Sequence, residues 1–244
     1  MPEIIVQTNP STVARAAAER IVTLAGDAIA AHGLLSMALA GGSTPGATYA
    51  LLASDEFAAR VDWPFVHVFW GDERCVPPDD PASNFRMADE ALLSQVPIPA
   101  SNVHRMRGEL EPQAAAQACA AELRAFFGTP WPRFDLVLLG MGEDGHTASL
   151  FPGSTALQEI ERPVASVMGH YQDRLACRVT LTARTINEAR HVLFLVTGAA
   201  KAETLQAVLE GPQGRYPAQL IWPRAGQLTW LVDAAAASRL QDEK

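Results

Sequence analysis

The sequence predicts an α/β fold, a mainly parallel sheet flanked by helices on both faces in the form of a Rossmann-like open sheet. Three observations lead to this prediction. Short apolar segments alternate with segments of helical periodicity along the 244 residues. Four of the apolar segments end directly at a glycine, where a strand can turn sharply. No repeat, low-complexity tract or change in composition marks a boundary, so we expect residues 1–244 to form a single domain.

Each element of this sheet has a local signal. Apolar or β-branched runs predict strands at residues 4–6, 36–40, 66–70, 136–139, 178–181, 192–196 and 228–232. Apolar periodicity predicts helices over residues 47–52, 85–93, 113–127 and 199–210. Ser11 is expected to cap a first long helix, Asn84 the helix over residues 85–93, and Asp233 a terminal helix. The proline-rich residues 75–81 predict a loop rather than a linker.

The composition is typical of a globular protein. Apolar residues make up 48% of the chain and charged residues 19%, which argues against disorder. The net charge of −8 gives no indication of a nucleic-acid groove or a basic membrane face. The N-terminus has no signal-like segment and no apolar run is long enough to span a bilayer, so we expect a cytoplasmic protein. No obligate protein partner is evident.

The cysteines are few and odd in number, at positions 75, 119 and 177. Their spacing matches no metal-binding pattern, and no disulfide framework is expected in a chain of this kind. We therefore interpret Cys75 and Cys177 as packing residues. The His, Cys, Asp and Glu residues show no metal-ligand spacing either.

Four glycine-ended strands predict one shared site. The glycines are Gly41, Gly71, Gly140 and Gly198, and ligands of open α/β sheets bind outside the carboxyl ends of the strands. Glycines that simply end strands are common, but each of these is followed within three residues by groups that can bind an anion or move a proton. We therefore expect the polar residues after the four glycines to converge.

The first of these turns contains Gly41, Gly42, Ser43 and Thr44 before an expected helix. Amide groups and the dipole at a helix N-terminus favour a phosphate. The turn is not a P-loop, because no Gly-Lys-Ser/Thr sequence closes it. Ser43 or Thr44 acting only as a helix cap is an equally good interpretation of this turn alone.

Two candidate cations follow two other glycines, and a third lies on or near a strand. Arg74 offers a planar fork that suits phosphate, and Asp72 before it can accept hydrogen bonds from sugar hydroxyls. Lys201 follows Gly198, and Arg178 lies on or near a strand. Each of the three cations taken alone is better explained as a surface charge or a local ion pair. Together they would supply the positive charge that an acidic protein needs to bind a dianion.

The remaining turn, residues 140–152, is the most informative. Gly142 and Gly145 let backbone amides approach an oxyanion, and His146 can exchange a proton near neutral pH. Asp144 is close enough to orient the ring of His146 or to bind a sugar, and the spacing permits either. The other five histidines lack such a setting and are expected to be structural or exposed. No Gly-x-Ser-x-Gly elbow surrounds Ser149, so direct attack by water is expected.

Five segments together resemble the 6-phosphogluconolactonase family: residues 41–45 (Gly-Gly-Ser-Thr-Pro), 70–74 (Trp-Gly-Asp-Glu-Arg), 140–152 (Gly-Met-Gly-Glu-Asp-Gly-His-Thr-Ala-Ser-Leu-Phe-Pro), 178–182 (Arg-Val-Thr-Leu-Thr) and 198–201 (Gly-Ala-Ala-Lys). The resemblance implies hydrolysis of 6-phospho-D-glucono-1,5-lactone to 6-phospho-D-gluconate in the oxidative pentose phosphate pathway, with no cofactor. It implies that His146 is the base and that Asp72 and Asp144 line the sugar end. The phosphate would lie near Arg74, Arg178, Lys201 and the Ser43–Thr44 turn.

One stretch departs from this family. Ala176 and Cys177 precede Arg178 where the family often has prolines, so a differently shaped loop over residues 171–177 is expected. A similar fold occurs in glucosamine-6-phosphate deaminase/isomerase, but that family has a Glu shortly after the histidine, where residues 148–152 here read Ala-Ser-Leu-Phe-Pro. A non-catalytic sugar-phosphate sensor usually carries a helix-turn-helix, and only a single long helix is expected before residue 36. Both alternatives are weaker.

Overall fold

A computed structural model describes residues 2–171 and 174–241 of the chain. The strands are β1 Glu3–Gln7, β2 Leu35–Leu39, β3 Val66–Trp70, β4 Asp72–Arg74, β5 Leu136–Leu139, β6 Val164–Tyr171, β7 Arg174–Leu181, β8 His191–Val196 and β9 Gln227–Asp233. The helices are α1 Pro10–His32, α2 Ser43–Leu52, α3 Asp55–Ala58, α4 Asn84–Ala91, α5 Pro112–Phe127, α6 Ala183–Ile186 and α7 Ala202–Leu209. None of the described helices combines the length and apolarity that a bilayer crossing requires.

Six strands form one parallel sheet in the order β1-β9-β8-β5-β2-β3. Strands β2 and β5 are buried along their whole length, as strands covered on both faces must be. The predicted α/β fold with a mainly parallel sheet is therefore confirmed. The chain moves outward in one direction from β2 to β3 and in the other from β5 to β8 and β9. The crevice for a ligand in such a sheet lies between β2 and β5, where the direction of winding reverses.

A second sheet of three antiparallel strands, in the order β4-β7-β6, was not expected from the sequence. Strand β4 is only three polar residues long, and β6 mixes small, polar and apolar residues, so neither gives a clear period-two signal. The differently shaped loop that the sequence suggested over residues 171–177 lies partly outside the described part of the chain, because residues 172 and 173 are not described. Of the described residues, Tyr171 ends β6, and residues 174–177 belong to β7, which pairs with β6.

Helix ends differ from the sequence prediction in several places. Asn9, not Ser11, caps α1, because its side chain accepts from the amide of Thr12 while the Thr12 hydroxyl accepts from the Asn9 amide. Ser83 caps α4 and Asn84 is the first helical residue. The segment expected as one helix over 199–210 is a 3₁₀ turn, Ala199–Lys201, followed by α7.

Asp233 caps no helix in the described residues, since residues 234–239 form turns. Its Oδ1 atom instead accepts from the amides of Ala236 at 2.8 Å and Gly198 at 3.0 Å. The carboxylate thereby connects the end of β9 to the turn after β8. The sequence identified Asp233 as a capping residue. It could not show that one of the amides that donate to Asp233 is that of Gly198, in a distant turn.

The cysteine prediction was wrong for two of the three positions. Cys75 and Cys177 form a disulfide with their Cα atoms 5.3 Å apart, although 102 residues separate them in sequence. Three cysteines at irregular spacing do not reveal a pair that only the β4–β7 pairing brings together. Cys119 is free, and burial raises the pKa of its thiol to about 12.

Tyr49 fixes the first glycine turn to the sheet. Its side chain is fully buried, and its hydroxyl donates to the carbonyl of Ala40 and accepts from the amide of the same residue, both at 2.9 Å. Burial raises the pKa of this phenol, so it remains a neutral donor and acceptor. Since Ala40 directly precedes Gly41, helix α2 and the end of β2 are held together at the point where the turn begins.

Candidate active site

A cavity of about 360 Å³ lies at the carboxyl ends of β2, β3, β5 and β8, at the predicted crevice. The volume suits a small polar molecule. The turns after all four strand-ending glycines contribute to its wall, so the predicted convergence is what the structure shows. The lining residues that the sequence had singled out are Gly41, Gly42, Ser43, Thr44, Asp72, Arg74, Gly142, His146, Arg178 and Lys201.

Two predicted site residues, Asp144 and Gly145, do not line the cavity. Asp144 instead contacts His146 directly: its Oδ1 atom lies 2.5 Å from His146 Nδ1 and accepts the His146 amide at 3.1 Å. Burial opposes charge on this carboxyl, but the hydrogen bonds and charge of His146 outweigh burial and hold the pKa of Asp144 below its ordinary value. Of the two roles left open by the sequence, this geometry favours orientation of the histidine ring.

The two glycines of this turn have different functions. A Cβ atom on Gly142 would overlap with His146 Nδ1 and lie 2.5 Å from Asp144 Oδ1, so only glycine leaves room for the histidine–aspartate pair. Gly145 has φ +74°, in the left-handed region, and packs against Tyr216 outside the cavity. The amide of Gly142 donates to His146 O and that of Gly145 to Gly142 O. These two amides therefore stabilise the turn, and the oxyanion role expected of them has no support here.

Ala148, two residues after the histidine, is the one non-glycine with positive φ among the described residues, at 47°. This conformation is costly for an L-residue and is typical of functional sites. It reverses the chain so that the Ser149 hydroxyl donates to Asp72 Oδ2 at 2.6 Å, while the Ser149 amide donates to the Thr180 hydroxyl at 3.2 Å. The histidine turn, β4 and β7 are thereby joined beneath the cavity.

The described lining residues include three cations, from three different elements. Arg74 ends β4 and its guanidinium donates to the Ala82 carbonyl, and Arg178 on β7 donates to the Cys177 carbonyl at 2.8 Å. Lys201 ends the 3₁₀ turn after β8, with Nζ 3.9 Å from Glu143 Oε1. The three cations that the sequence proposed for binding an anion thus all line the cavity.

Glu73 is a supporting residue that the sequence analysis missed. It is 2% exposed, and its carboxylate accepts from the amides of Arg74, Asn84 and Phe85 at 2.7 Å and from the Ser83 hydroxyl at 2.9 Å. Burial raises the pKa of Glu73, and these four donors oppose that effect. The carboxylate therefore attaches the N-terminus of α4 to β4 and fixes the loop that follows Arg74.

Asn84 is a second residue whose position the sequence did not reveal. It lines the cavity at 1% exposure, and its amide nitrogen donates to the Asp72 carbonyl at 2.8 Å. Its Oδ1 atom is buried with no hydrogen-bond partner among the described residues and lies against Gly41, where a Cβ atom would overlap with it. A helix-start signal in the sequence predicted that Asn84 caps a helix. Only the packing of α4 against the first glycine turn shows that Asn84 also borders the site.

The first and fourth turns are also joined directly. The hydroxyls of Thr44 and Thr197 are 2.8 Å apart across the cavity wall. Helix α2 begins after Gly42, which has φ +105° and no capping side chain, and its first residues Ser43 and Thr44 line the cavity. Within residues 2–171 and 174–241, no group of three or more His, Cys, Asp and Glu side chains is arranged to hold a metal ion.

Comparison with known proteins identifies related chains over almost the whole length. The family described as glucosamine-6-phosphate isomerases/6-phosphogluconolactonase matches residues 8–230. A 6-phosphogluconolactonase of Synechocystis sp. is 41% identical over 98% of this chain and 99% of its own length. One from Nostoc sp. is 41% identical over 90% of each chain. The solved structure of 6-phosphogluconolactonase from Trypanosoma cruzi, at 33% identity, covers 99% of this chain and 97% of its own with a TM-score of 0.90.

Proposed function

The chain belongs to the glucosamine-6-phosphate isomerase/6-phosphogluconolactonase family, and we propose that it hydrolyses 6-phospho-D-glucono-1,5-lactone to 6-phospho-D-gluconate in the oxidative pentose phosphate pathway. One observation supports this most strongly: His146, which is paired with Asp144, borders the same cavity as three cations. The residues after the histidine, 148–152, lack the Glu expected of the deaminase branch of the family. The substrate is therefore a sugar lactone with a phosphate and not an amino sugar.

The phosphate is held by cations and by donors at a helix N-terminus. Arg74 and Arg178 come from paired strands, and Lys201 approaches from the turn after β8. Arginine forks bind phosphate oxygens bidentately, and Lys201 adds a point charge. Ser43 and Thr44, in the first turn of α2, add hydroxyl and amide donors. Binding the phosphate here places the lactone carbonyl near His146.

His146 then acts as the general base. It removes a proton from water, the resulting hydroxide adds to C1, and a cation of the cavity stabilises the developing oxyanion. When the bond between C1 and the ring oxygen breaks, His146 returns the proton to that oxygen. Asp144 orients the imidazole and stabilises its charged form, since the two side chains are in hydrogen-bond contact. Asp72, held by Ser149, accepts hydrogen bonds from sugar hydroxyls.

Residues 1–244 act as one domain in the cytoplasm and use no cofactor. The net charge of −8 and the local placement of cations in the cavity support a small anionic substrate. Neither nucleic acid nor a membrane nor an obligate protein partner is required.

A substrate comparison tests this function. Acid release from freshly prepared 6-phosphogluconolactone is measured against the buffer rate, beside unphosphorylated glucono-1,5-lactone and, for ammonia release, glucosamine 6-phosphate. We expect rapid hydrolysis of the phosphorylated lactone, weaker hydrolysis of the unphosphorylated one, and no ammonia. A phospholactone rate equal to that of buffer would refute the proposal, and ammonia release would favour the deaminase activity.

A further inference from the structure

The Cys75–Cys177 disulfide lies directly beside two of the three cavity cations. Cys75 follows Arg74, the last residue of β4, and Cys177 precedes Arg178 on β7. Neither cysteine lines the cavity, whereas both arginines do. The cross-link therefore lies behind the arginines at the end of the β4–β7 ladder, where it affects the substrate only through them.

The pairing of these strands brings two like charges together. Arg74 and Arg178 are direct partners across the antiparallel ladder. Like charges in directly opposite positions of a ladder destabilise it. Strand β4 has only three residues, so few ladder hydrogen bonds oppose the separation of its last pair. The disulfide forms the next link beyond this pair, and so keeps the two guanidinium groups together before an anion arrives.

Backbone contacts transmit this constraint to the arginine side chains. The Cys177 carbonyl accepts from the Cys75 amide at 3.2 Å and from Arg178 Nη1 at 2.8 Å. The amide of Val76 donates to the Arg74 carbonyl at 2.8 Å, which places Cys75 within a tight turn. Movement of either cysteine therefore changes the position of a group that directly holds an arginine.

We propose that Cys75 and Cys177 are positioning residues for the phosphate site, and that their oxidation state sets the affinity for the phosphorylated lactone. The proposal rests on the assignment of Arg74 and Arg178 to the phosphate. Oxidised, the pair holds the arginines at the spacing that a dianion requires. Reduced, the two thiols release the end of the ladder, and the arginines separate when no anion is bound.

The chemical step is thiol–disulfide exchange with a dithiol reductant. A thiolate of the reductant attacks one cysteine sulfur, the bond between the two protein sulfurs breaks, and a mixed disulfide forms. The second thiol of the reductant then releases the protein. Two electrons and two protons pass to the enzyme, which leaves two cysteine thiols and an oxidised dithiol. In a cytoplasmic protein, disulfides are typically of this transient, redox-sensing kind.

The test compares the oxidised and dithiol-reduced enzyme on two lactones. On reduction, we expect KM for 6-phosphogluconolactone to rise about two- to tenfold, the range for one weakened hydrogen bond. We expect kcat for this substrate to change less than KM. The rate on unphosphorylated glucono-1,5-lactone should stay constant. Thiol labelling before and after reduction verifies that the disulfide has opened.

Variants separate this effect from general loss of structure. The double variant Cys75→Ser/Cys177→Ser should have the KM of the reduced enzyme and no response to the dithiol. Cys119→Ser, which alters the free cysteine, should respond as the wild type does. Circular dichroism at the assay temperature shows that each protein remains folded.

Three outcomes would overturn the proposal. An unchanged KM on verified reduction would show that the cross-link does not position the arginines. Equal losses on both lactones would show a purely structural role. An oxidised enzyme that hydrolyses both lactones equally well would refute the phosphate assignment and this proposal together, whereas absence of any lactonase activity would refute the proposed function itself.

Discussion

Two regions of the molecule place a histidine against a carboxylate in nearly the same way. In the turn after β5, His146 Nδ1 lies 2.5 Å from Asp144 Oδ1, and beside β3 His104 Nδ1 lies 2.9 Å from Glu122 Oε1. The histidine side chains are also similarly buried, at 16% and 14% exposure. Local pairing and burial therefore do not distinguish a reactive histidine from a structural one.

The surroundings distinguish the two. His104 is fixed on both ring nitrogens, because its Nε2 atom also lies 3.2 Å from His67 Nδ1, and its ring stacks on Phe69 at 4.3 Å. His146 instead borders the cavity at the carboxyl edge of the parallel sheet, together with the cations. We therefore propose that its position at the strand ends, and not its pairing with a carboxylate, gives His146 its catalytic role.

Replacing each histidine in turn gives the largest expected contrast. Loss of the general base in His146→Gln should lower kcat on the phospholactone by about 10²–10⁴-fold. His104→Gln keeps a polar side chain outside the cavity and should retain kcat within a small factor. Steady-state assays on both purified variants measure the difference. Near-normal turnover by His146→Gln would show that another group activates the water.

The next contrast concerns the three cations of the cavity. In Arg74→Met or Lys201→Met, loss of a hydrogen bond to a charged group should raise KM for the phospholactone about 10- to 100-fold. Arg162→Met, which breaks an exposed ion pair with Glu159, is the control and should leave KM unchanged. KM for unphosphorylated glucono-1,5-lactone should show no comparable rise in any of the three variants. Equal losses on both lactones would argue against the phosphate assignment.

The two carboxylates allow a finer comparison. Asp144→Asn keeps the shape but removes the charge that orients and stabilises the His146 ring, so kcat should fall roughly tenfold or more, while KM changes little. Glu122→Gln makes the same change beside His104 and should have no effect on kcat. The pair of steady-state measurements therefore asks whether a carboxylate acts through its histidine. If Asp144→Asn mainly raises KM, then Asp144 contacts the sugar instead.

The smallest expected effect is on stability. Burial, and then the charge of His104, lowers the pKa of His67 below its ordinary value of about 6.5. As the pH falls below about 7, the unfolded chain takes up this proton before the folded protein does, so stability decreases with falling pH until the folded pKa is passed. The melting temperature of His67→Gln should therefore fall less between pH 7 and pH 5 than that of the wild type.

The Glu109–Arg105 pair provides the contrast in this experiment. The hydrogen bond from Arg105 lowers the pKa of Glu109 on folding, so the contribution of this carboxylate is complete above the unfolded value of about 4.3 and is lost only as the pH falls through the folded value. Glu109→Gln should thus leave the stability change between pH 7 and pH 5 as in the wild type. Thermal denaturation of both variants at several pH values checks this, and identical pH profiles for His67→Gln and wild type would contradict it.

The sequence by itself determined the parallel sheet and the location of the cavity. Apolar runs such as β5 and β8 are long enough to be recognised as buried strands, and a glycine at the end of each marks the turn. Because all parallel strands end at the same edge, residues far apart in sequence had to converge there. His146, Arg74 and Lys201 could therefore be assigned to one site from local patterns alone.

The tertiary structure alone decided what supports these residues. The β4–β7 pairing, and with it the Cys75–Cys177 disulfide, depends on contacts between segments about a hundred residues apart. A local signal predicted a strand over residues 178–181 but could not show which segment pairs with it. Likewise, the buried carboxylate of Glu73 and the side-chain amide of Asn84 form the hydrogen bonds that support the site only when α4 packs against β4. Local sequence propensity predicts hydrogen bonds between residues that are close in sequence. The groups that position this site form hydrogen bonds with residues that are distant in sequence, so propensity does not predict them.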